Sequence, residues 1–370
     1  MKYYIIAGEA SGDLHGGNLI REIHKNDKSA EIRCWGGDYM QQAGATLVKH
    51  YRELAFMGFV EVLMNLRRIL RNLAMCKEDI SNFAPDALVL IDYPGFNLRI
   101  AEWARQQGLR VIFYISPQVW AWKENRVRNM KRDIDLMMVI LPFEKSYFEE
   151  KWQWPVHYVG HPLVEVIDEA RNTRFESLSE KPIVAVLPGS RRQEIRKKLP
   201  VMLEVSGNFP DFQFIVAQAP GLESNFYDEF LQKYPNVSIT KSGAYALLSQ
   251  SKAAMVTSGT ATLETALMGV PEVVCYKGSP ISYAIAKRVI KVKYISLVNL
   301  IMDRPLVREL IQHELTPKNL STELENLLCN PERRTELASG YKKLYELLSA
   351  GGRASHKAAY LINRYLTGVV

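Results

Sequence analysis

Tyr3-Tyr4-Ile5-Ile6-Ala7-Gly8-Glu9-Ala10-Ser11-Gly12-Asp13 carries a short apolar run through a glycine-bearing loop into a helical pattern. Apolar, β-favouring residues bounded by glycine read as a buried strand, and the segment through His24 reads as the helix that follows. The same arrangement recurs downstream. Residues 87–91 form an apolar run ending at Asp92, residues 111–115 another ending at Ser116-Pro117, and residues 137–141 a third. A second series has runs at 183–187, 212–217, 253–257 and 272–276. Strands that alternate with helical patterns predict parallel sheets covered by helices on both faces. The polar interval 172–181 separates the two series. The expected fold is therefore α/β, with two Rossmann-like doubly wound domains, residues 1–171 and 182–331, followed by helices over 332–370. Ligands of such sheets bind beyond the C-terminal ends of the strands, and two such domains are expected to face a central cleft.

Composition narrows the class. The chain has 370 residues, 47% hydrophobic and 24% charged, which excludes wholesale disorder. Its formal net charge of +7 is uneven: −1 through residue 170 and +8 from residue 171. A polyanionic ligand in the second half and a merely solvated basic surface both fit. Cys34, Cys76, Cys275 and Cys329 form no CxxC pair, so free thiols in a reducing compartment are expected. The first residues lack the pattern of a signal peptide, and no long uncharged stretch predicts a transmembrane helix.

Three loops carry candidate chemistry. Gly8–Asp13 is not GxGxxG, so a dinucleotide fingerprint fails. Glu9 and Asp13 fit either a helix start with favourable dipole charges or a site for substrate hydroxyls. In Leu187-Pro188-Gly189-Ser190-Arg191, glycine allows close backbone approach and Arg191 offers a fork for phosphate. The basic run Arg192, Arg196, Lys197 and Lys198 reads as a solvent face and is left out of the site. Ser258-Gly259-Thr260-Ala261-Thr262-Leu263-Glu264 joins a strand to a helix. Its free N–H groups and the Ser258 and Thr260 hydroxyls suit a diphosphate, and Glu264 suits ribose hydroxyls. A helix simply capped at Thr260 is the structural alternative. Asp92 closes a strand, where a carboxylate can act as general base or cap a turn. His15 and His161 are weaker candidates.

Phe59, Val62, Leu63, Leu66, Ile69, Leu70 and Leu73 fall at helical spacing, with Arg67, Arg68 and Arg71 between them. Met64 and Met75 widen the apolar face. Trp120-Ala121-Trp122-Lys123, followed by Arg126, Arg128, Lys131 and Arg132, adds a basic-aromatic stretch. Such surfaces suit an anionic amphiphile or an anionic bilayer. No nucleic-acid-binding module is recognised, so no nucleic-acid partner is expected.

GEASGD, EVL, IDYPGFN, SPQVWAW, LPFE, VGHPL, LPGSR, SGTATLE and the run Tyr294–Leu300 occur in this order. Together they resemble the lipid-A-disaccharide synthase family. The resemblance implies the two-lobed B-type glycosyltransferase fold and an inverting transfer. The donor would be UDP-2,3-diacylglucosamine and the acceptor 2,3-diacylglucosamine 1-phosphate. The products would be a β-1,6-linked disaccharide 1-phosphate and UDP. No metal and no cofactor are implied, the UDP-sugar being a substrate. The first domain would take the acceptor and face an anionic inner-membrane surface on its cytoplasmic side, through Met64, Leu66, Arg67, Arg68, Leu70 and Arg71. The second would take the donor. Glu9, Asp92, Arg191 and Asn299 match functional positions of the family, and Glu309 and Gln312 would border the substrates. Some members have Asp at the place of Gly95, which leaves Asp92 as the preferred base. The terminal helices would cross back to the first lobe or exchange in a homodimer. A UDP-sugar 2-epimerase, another UDP-dependent transferase of this fold and a non-catalytic acyl-sugar-binding scaffold remain alternatives.

Overall fold

The computed structural model describes residues 1–54, 66–279, 283 and 292–368. The chain divides into two units, Met1–Pro162 with Leu348–Val370, and Leu163–Leu347.

The first unit holds β1 (Lys2–Ala7), β2 (Glu31–Gly36), β3 (Thr46–His50), β4 (Ala87–Ile91), β5 (Val111–Tyr114), β6 (Leu136–Val139) and β7 (His157–Tyr158). They form one parallel sheet in the order β3-β2-β1-β4-β5-β6-β7. The second unit holds β8 (Ile183–Leu187), β9 (Gln213–Ala217), β10 (Val237–Thr240), β11 (Ser251–Thr257), β12 (Glu272–Tyr276) and β13 (Arg308–Ile311). Its parallel sheet runs β10-β9-β8-β11-β12-β13. Both orders reverse direction at the middle, between β1 and β4 and between β8 and β11. A doubly wound sheet opens its ligand crevice at that reversal, beyond the strand ends.

The central strands are buried on both faces. Tyr3, Ile5 and Ala7 point to one face of the first sheet and Tyr4 and Ile6 to the other. The first face is covered by the helices Ala10–Asn26 and Ala354–Thr367, which contribute Leu19, Ile20 and Ile23, and Ala354, Ala358 and Ile362. The small alanines let these helices approach closely. Leu73, Cys76 and Ile80, from the helix Leu66–Phe83, cover the opposite face.

Several elements differ from the sequence expectation. β3 and β10 are partly exposed strands whose few apolar residues gave no buried-strand signal. The division falls at Pro162 and not in the polar interval 172–181. The helix Pro162–Arg171 is tied into the second unit by the Asp168 carboxylate, which accepts from the Tyr345 hydroxyl at 3.1 Å. Arg171 donates to the Leu267 carbonyl there. The last helix, Ala354–Thr367, returns to the first unit, whereas Pro331–Ser349 stays largely in the second. Met64 lies outside the described residues, and Leu66 opens the described part of its helix. Leu70 and Met75 are exposed beside exposed Arg67, Arg68 and Arg71, while Leu73 turns to the core.

Glu272, at the start of β12, is fully buried, and neither carboxylate oxygen has a hydrogen-bond partner among the described residues. Burial pushes its pKa well above the usual range. A carboxyl raised in the folded state binds more protons folded than unfolded, so its penalty grows as pH rises through the raised pKa. Glu272→Met is expected to stabilise the protein by about 1–3 kcal/mol. The gain should be larger at pH 8 than at pH 5 in urea unfolding. An equal difference at the two pH values would show that this carboxylate is solvated.

Candidate functional site

In the first unit the residues beyond β1 and β4 meet at the reversal point. Glu9 follows β1 and opens the helix Ala10–Asn26. Asp92 and Tyr93 follow β4 in left-handed backbone, with φ of 45° and 49°. Such conformations cost about 1–3 kcal/mol each and persist only when their surroundings hold them. Here the buried Asn97 amide donates to the carbonyls of Asp92 at 2.8 Å, Ile91 at 3.2 Å and Ile6 at 3.4 Å. The Tyr93 ring lies against Gly8, where a Cβ would stand 2.2 Å from the ring. Glycine is therefore required at position 8 by contact.

Burial, followed by the nearby Glu9 charge, raises Asp92 from 3.8 to about 6, while a hydrogen bond from Tyr93 opposes the shift. Glu144 begins to complete an acidic corner from beyond β6. It is buried, and it accepts from Trp120 Nε1 at 3.1 Å, Leu141 N at 3.0 Å and Ile140 N at 3.2 Å. Burial raises Glu144 to about 7, and the Asp92 charge adds to the shift. Its signal in the sequence was an acid in the apolar run Leu141-Pro142-Phe143-Glu144, just after a strand. Asp13 has another task. Its carboxylate accepts from the backbone N–H groups of Gly37, Tyr39 and Met40 at 2.7–3.1 Å. It caps the short helix Asp38–Gln42 and does not present its charge to a ligand. His15 and His161 are buried and lowered to about 4 and about 3, chiefly by burial, so both are neutral at pH 7.

In the second unit, Gly189-Ser190-Arg191 follows β8 and Ser258-Gly259-Thr260 follows β11. Arg191 is exposed, with Nη1 3.2 Å from Glu194 Oε1. Gly259 caps the helix Thr260–Leu267 with no side-chain capping bond, so Thr260 is the first helical residue and not the cap. The Ser258 hydroxyl donates to the Ile295 carbonyl at 2.9 Å. Glu264 accepts from the Tyr245 hydroxyl at 3.0 Å, and burial raises its pKa.

Asn299, Glu309 and Gln312 serve the loops. The buried Asn299 amide donates to Val307 O and Glu309 Oε1 and accepts from Val307 N, each at 2.9 Å. Glu309 also accepts from Ile295 N, Ser296 N and Ser296 Oγ. Gln312 accepts from Gly278 N at 3.0 Å. These polar groups brace the start of the helix Leu297–Met302 and the chain just after β12. The Asn299 amide is satisfied within the protein.

Lys198 overturns its assignment to the solvent face. It is 3% exposed. Its ammonium donates to Thr257 Oγ1, lies 3.8 Å from Glu194 Oε2, and would meet a Cβ on Gly189 at 3.5 Å. Burial lowers its pKa, opposed by Glu194 and Cys275. A buried cation thus sits at the C-terminal ends of β8 and β11, bonded to Thr257 two residues before the helix cap Gly259. The missed signal was spacing: Ile195, Lys198, Leu199 and Met202 share one helical stripe, while Arg196 and Lys197 lie off it. A helix N-terminus with fixed cations suits a diphosphate, and Glu264 beyond it suits a sugar hydroxyl pair.

Two doubly wound units of this construction, one with an acidic reversal point and one with a buried lysine at its own, define a B-type glycosyltransferase fold. Solved structures agree with the fold. The glycosyltransferase of kitacinnamycin superposes with a TM-score of 0.66 at 15% identity, covering 99% of each chain. A UDP-N-acetylglucosamine 2-epimerase from Listeria monocytogenes superposes with 0.65 at 12% identity, covering 100% of this chain and 95% of that one. The family model for lipid-A-disaccharide synthetase matches residues 3–362. Lipid-A-disaccharide synthases from Geobacter sulfurreducens and Coxiella burnetii are 38% and 34% identical to this chain, covering 97% of it and 96% and 97% of their own lengths. The chain belongs to the lipid-A-disaccharide synthase family and is a glycosyltransferase that uses a UDP-sugar donor.

Lys198→Met is expected to weaken competitive inhibition by UDP about 10- to 100-fold, as loss of a charge-assisted contact does. The same change removes a buried charge, so the unfolding midpoint should hold or rise. Unchanged UDP inhibition with lower stability would make Lys198 a structural residue only.

Proposed function

We propose that this protein transfers 2,3-diacylglucosamine from its UDP derivative to the 6-hydroxyl of 2,3-diacylglucosamine 1-phosphate, with inversion at the anomeric carbon. The observation that carries the reading is Asp92, a strand-end carboxylate with a pKa of about 6 beside Glu9. In the proposed step the acceptor hydroxyl proton passes to the Asp92 carboxylate. The acceptor oxygen forms a bond to the anomeric carbon as the bond from that carbon to the diphosphate oxygen breaks, and UDP leaves with the electron pair. The helix beginning at Thr260, Lys198 and Arg191 would stabilise the charge gathering on the diphosphate, and Glu264 would take the ribose hydroxyls. Glu9 would orient the acceptor sugar and hold the Asp92 proton affinity high.

The same reading places the protein at the cytoplasmic face of an anionic inner membrane. Among the described residues no helix is long and apolar enough to cross a bilayer. Leu70 and Met75, 56% and 36% exposed among arginines, support a surface contact with acyl chains and lipid phosphates. A homodimer by exchange of the last helix is compatible with the family. Within one chain, however, that helix already completes the first unit's core. Leu70→Ser combined with Met75→Ser should lower co-sedimentation with phosphatidylglycerol vesicles while leaving the unfolding midpoint unchanged. Undiminished co-sedimentation would leave these side chains without a membrane role.

The direct test supplies both acyl sugars and reads disaccharide and UDP together. Release of an epimerised UDP-sugar from the donor alone would instead establish the 2-epimerase alternative. A base must be ionised to accept the proton, so kcat/KM should rise with pH and level off above about 6. Asp92→Asn should lower kcat by about 10²–10⁴-fold and abolish that rise, with UDP inhibition retained. A folded variant with the parent's rate would remove Asp92 as base.

A further inference from the structure

Arg99, Lys123 and Arg126 form a cluster of cations in the first unit. Arg99 lies in the helix Pro94–Gln106 and its guanidinium returns to the Gly95 carbonyl, in the first turn after Asp92-Tyr93. Lys123 adopts left-handed backbone, φ 56°, and its ammonium stands 4.3 Å from the Trp122 ring centre. The Arg126 guanidinium is 5.8 Å from the same ring. Trp122 is 43% exposed, so the ring presents an open platform beneath the two cations.

None of the three forms an ion pair among the described residues, although acids are close in sequence. Glu124 separates Lys123 from Arg126, yet its carboxylate is taken by the Tyr147 hydroxyl at 2.9 Å and Lys151 Nζ at 2.5 Å. Farther along the chain Arg105 and Arg132 are paired, whereas Arg128 and Lys131 form no ion pair among the described residues. Arg105 meets Asp135 at 2.6 Å, and Arg132 meets Asp133 at 2.6 Å and Glu102 at 3.1 Å. Arg99, Lys123 and Arg126 are left without a carboxylate partner among the described residues. Like charges that crowd without a counter-ion repel. Lys123 is lowered by burial and then by Arg126 and Arg99, and Arg126 by burial and then by Arg99. A bound dianion would relieve this repulsion, and a guanidinium pair with an ammonium matches three phosphate oxygens.

We propose that Lys123 and Arg126 at the Trp122 ring, with Arg99 at the turn that follows Asp92, bind the anomeric phosphate of the acceptor sugar. The assignment rests on the reading of Asp92 as the base for that sugar's hydroxyl. It gives the first unit a second anchor on the acceptor. The Asp92 carboxylate takes the reacting hydroxyl at one end of the sugar, and the cations take the phosphate at the other. Two anchors fix the direction of the ring, which one hydrogen bond to a hydroxyl does not.

The test compares 2,3-diacylglucosamine 1-phosphate with 2,3-diacylglucosamine lacking the phosphate, in the full-length protein. Arg99→Gln, Lys123→Gln and Arg126→Gln should each raise KM for the phosphorylated acceptor about 10- to 100-fold. UDP inhibition and use of the unphosphorylated acceptor should stay at the parent's level. Lys123→Arg should recover most of the loss, and Arg105→Gln, at a paired cation, should have no effect on KM. Equal losses with both acceptors would overturn the proposal in favour of a structural role. A drop in binding to phosphatidylglycerol vesicles, with preference for the phosphorylated acceptor intact, would assign the cluster to lipid headgroups and overturn it as well. Failure of the underlying reaction is recognised separately, because the unmodified protein would then form no disaccharide from either acceptor.

Discussion

The Asn97 amide joins the two central strands of the first sheet at the point where the strand order reverses. Its NH₂ group reaches carbonyls of Ile6 in β1 and of Ile91 and Asp92 at the end of β4. A parallel sheet must release its backbone at the strand ends, and buried carbonyls left there without donors cost about 1–3 kcal/mol each. Asn97 supplies the donors from the helix that follows, and in doing so it holds Asp92 and Tyr93 in left-handed backbone. The position of the carboxylate, the stacking of Tyr93 on Gly8 and the proximity of Glu9 all depend on that clamp.

The second unit meets the same problem with a charge. Lys198 comes from the helix after β8 and hydrogen-bonds Thr257 at the end of β11, again across the reversal. On the proposed function an amide suits the first unit, where the base would be a carboxylate whose proton affinity burial raises. An ammonium would suit the second, where a diphosphate would be held. A buried lysine is costly without a counter-charge, and Glu194 at 3.8 Å is too distant to be a tight pair. The ammonium is thus partly uncompensated, the condition under which an incoming diphosphate gains most from it.

Polar side chains near both strand-end regions fall into two groups that residue type does not separate. Asp13, Asn299 and Glu309 have the chemistry of ligand-binding residues, yet their polar atoms are taken by backbone amides, carbonyls and each other. They keep loops in place, so the Ser258 hydroxyl, bonded to the Ile295 carbonyl, is tied through Ile295 to the Glu309 brace. Arg99, Lys123 and Arg126 show the opposite. A charged surface stretch becomes informative once its carboxylate neighbours are seen engaged elsewhere.

Apolar runs of five residues alternating with helical stripes determined two parallel α/β sheets without reference to any contact, because such strands must be buried on both faces. The order of motifs from GEASGD to SGTATLE identified the family, and the apolar runs placed Asp92, Arg191 and the Ser258–Thr260 turn beyond strand ends. The tertiary structure alone decided which polar groups are free. The helical stripe of Ile195, Leu199 and Met202 could have signalled burial of Lys198, but its bond to Thr257 depends on a strand 59 residues farther on. The roles of Asn299 and Glu309 depend on a loop folding back to meet a strand about ten residues farther on. The return of the last helix to the first unit depends on packing against a helix more than three hundred residues earlier. Local pattern records how a segment folds, whereas availability of a side chain is set by neighbours distant in the chain, and no local period encodes them.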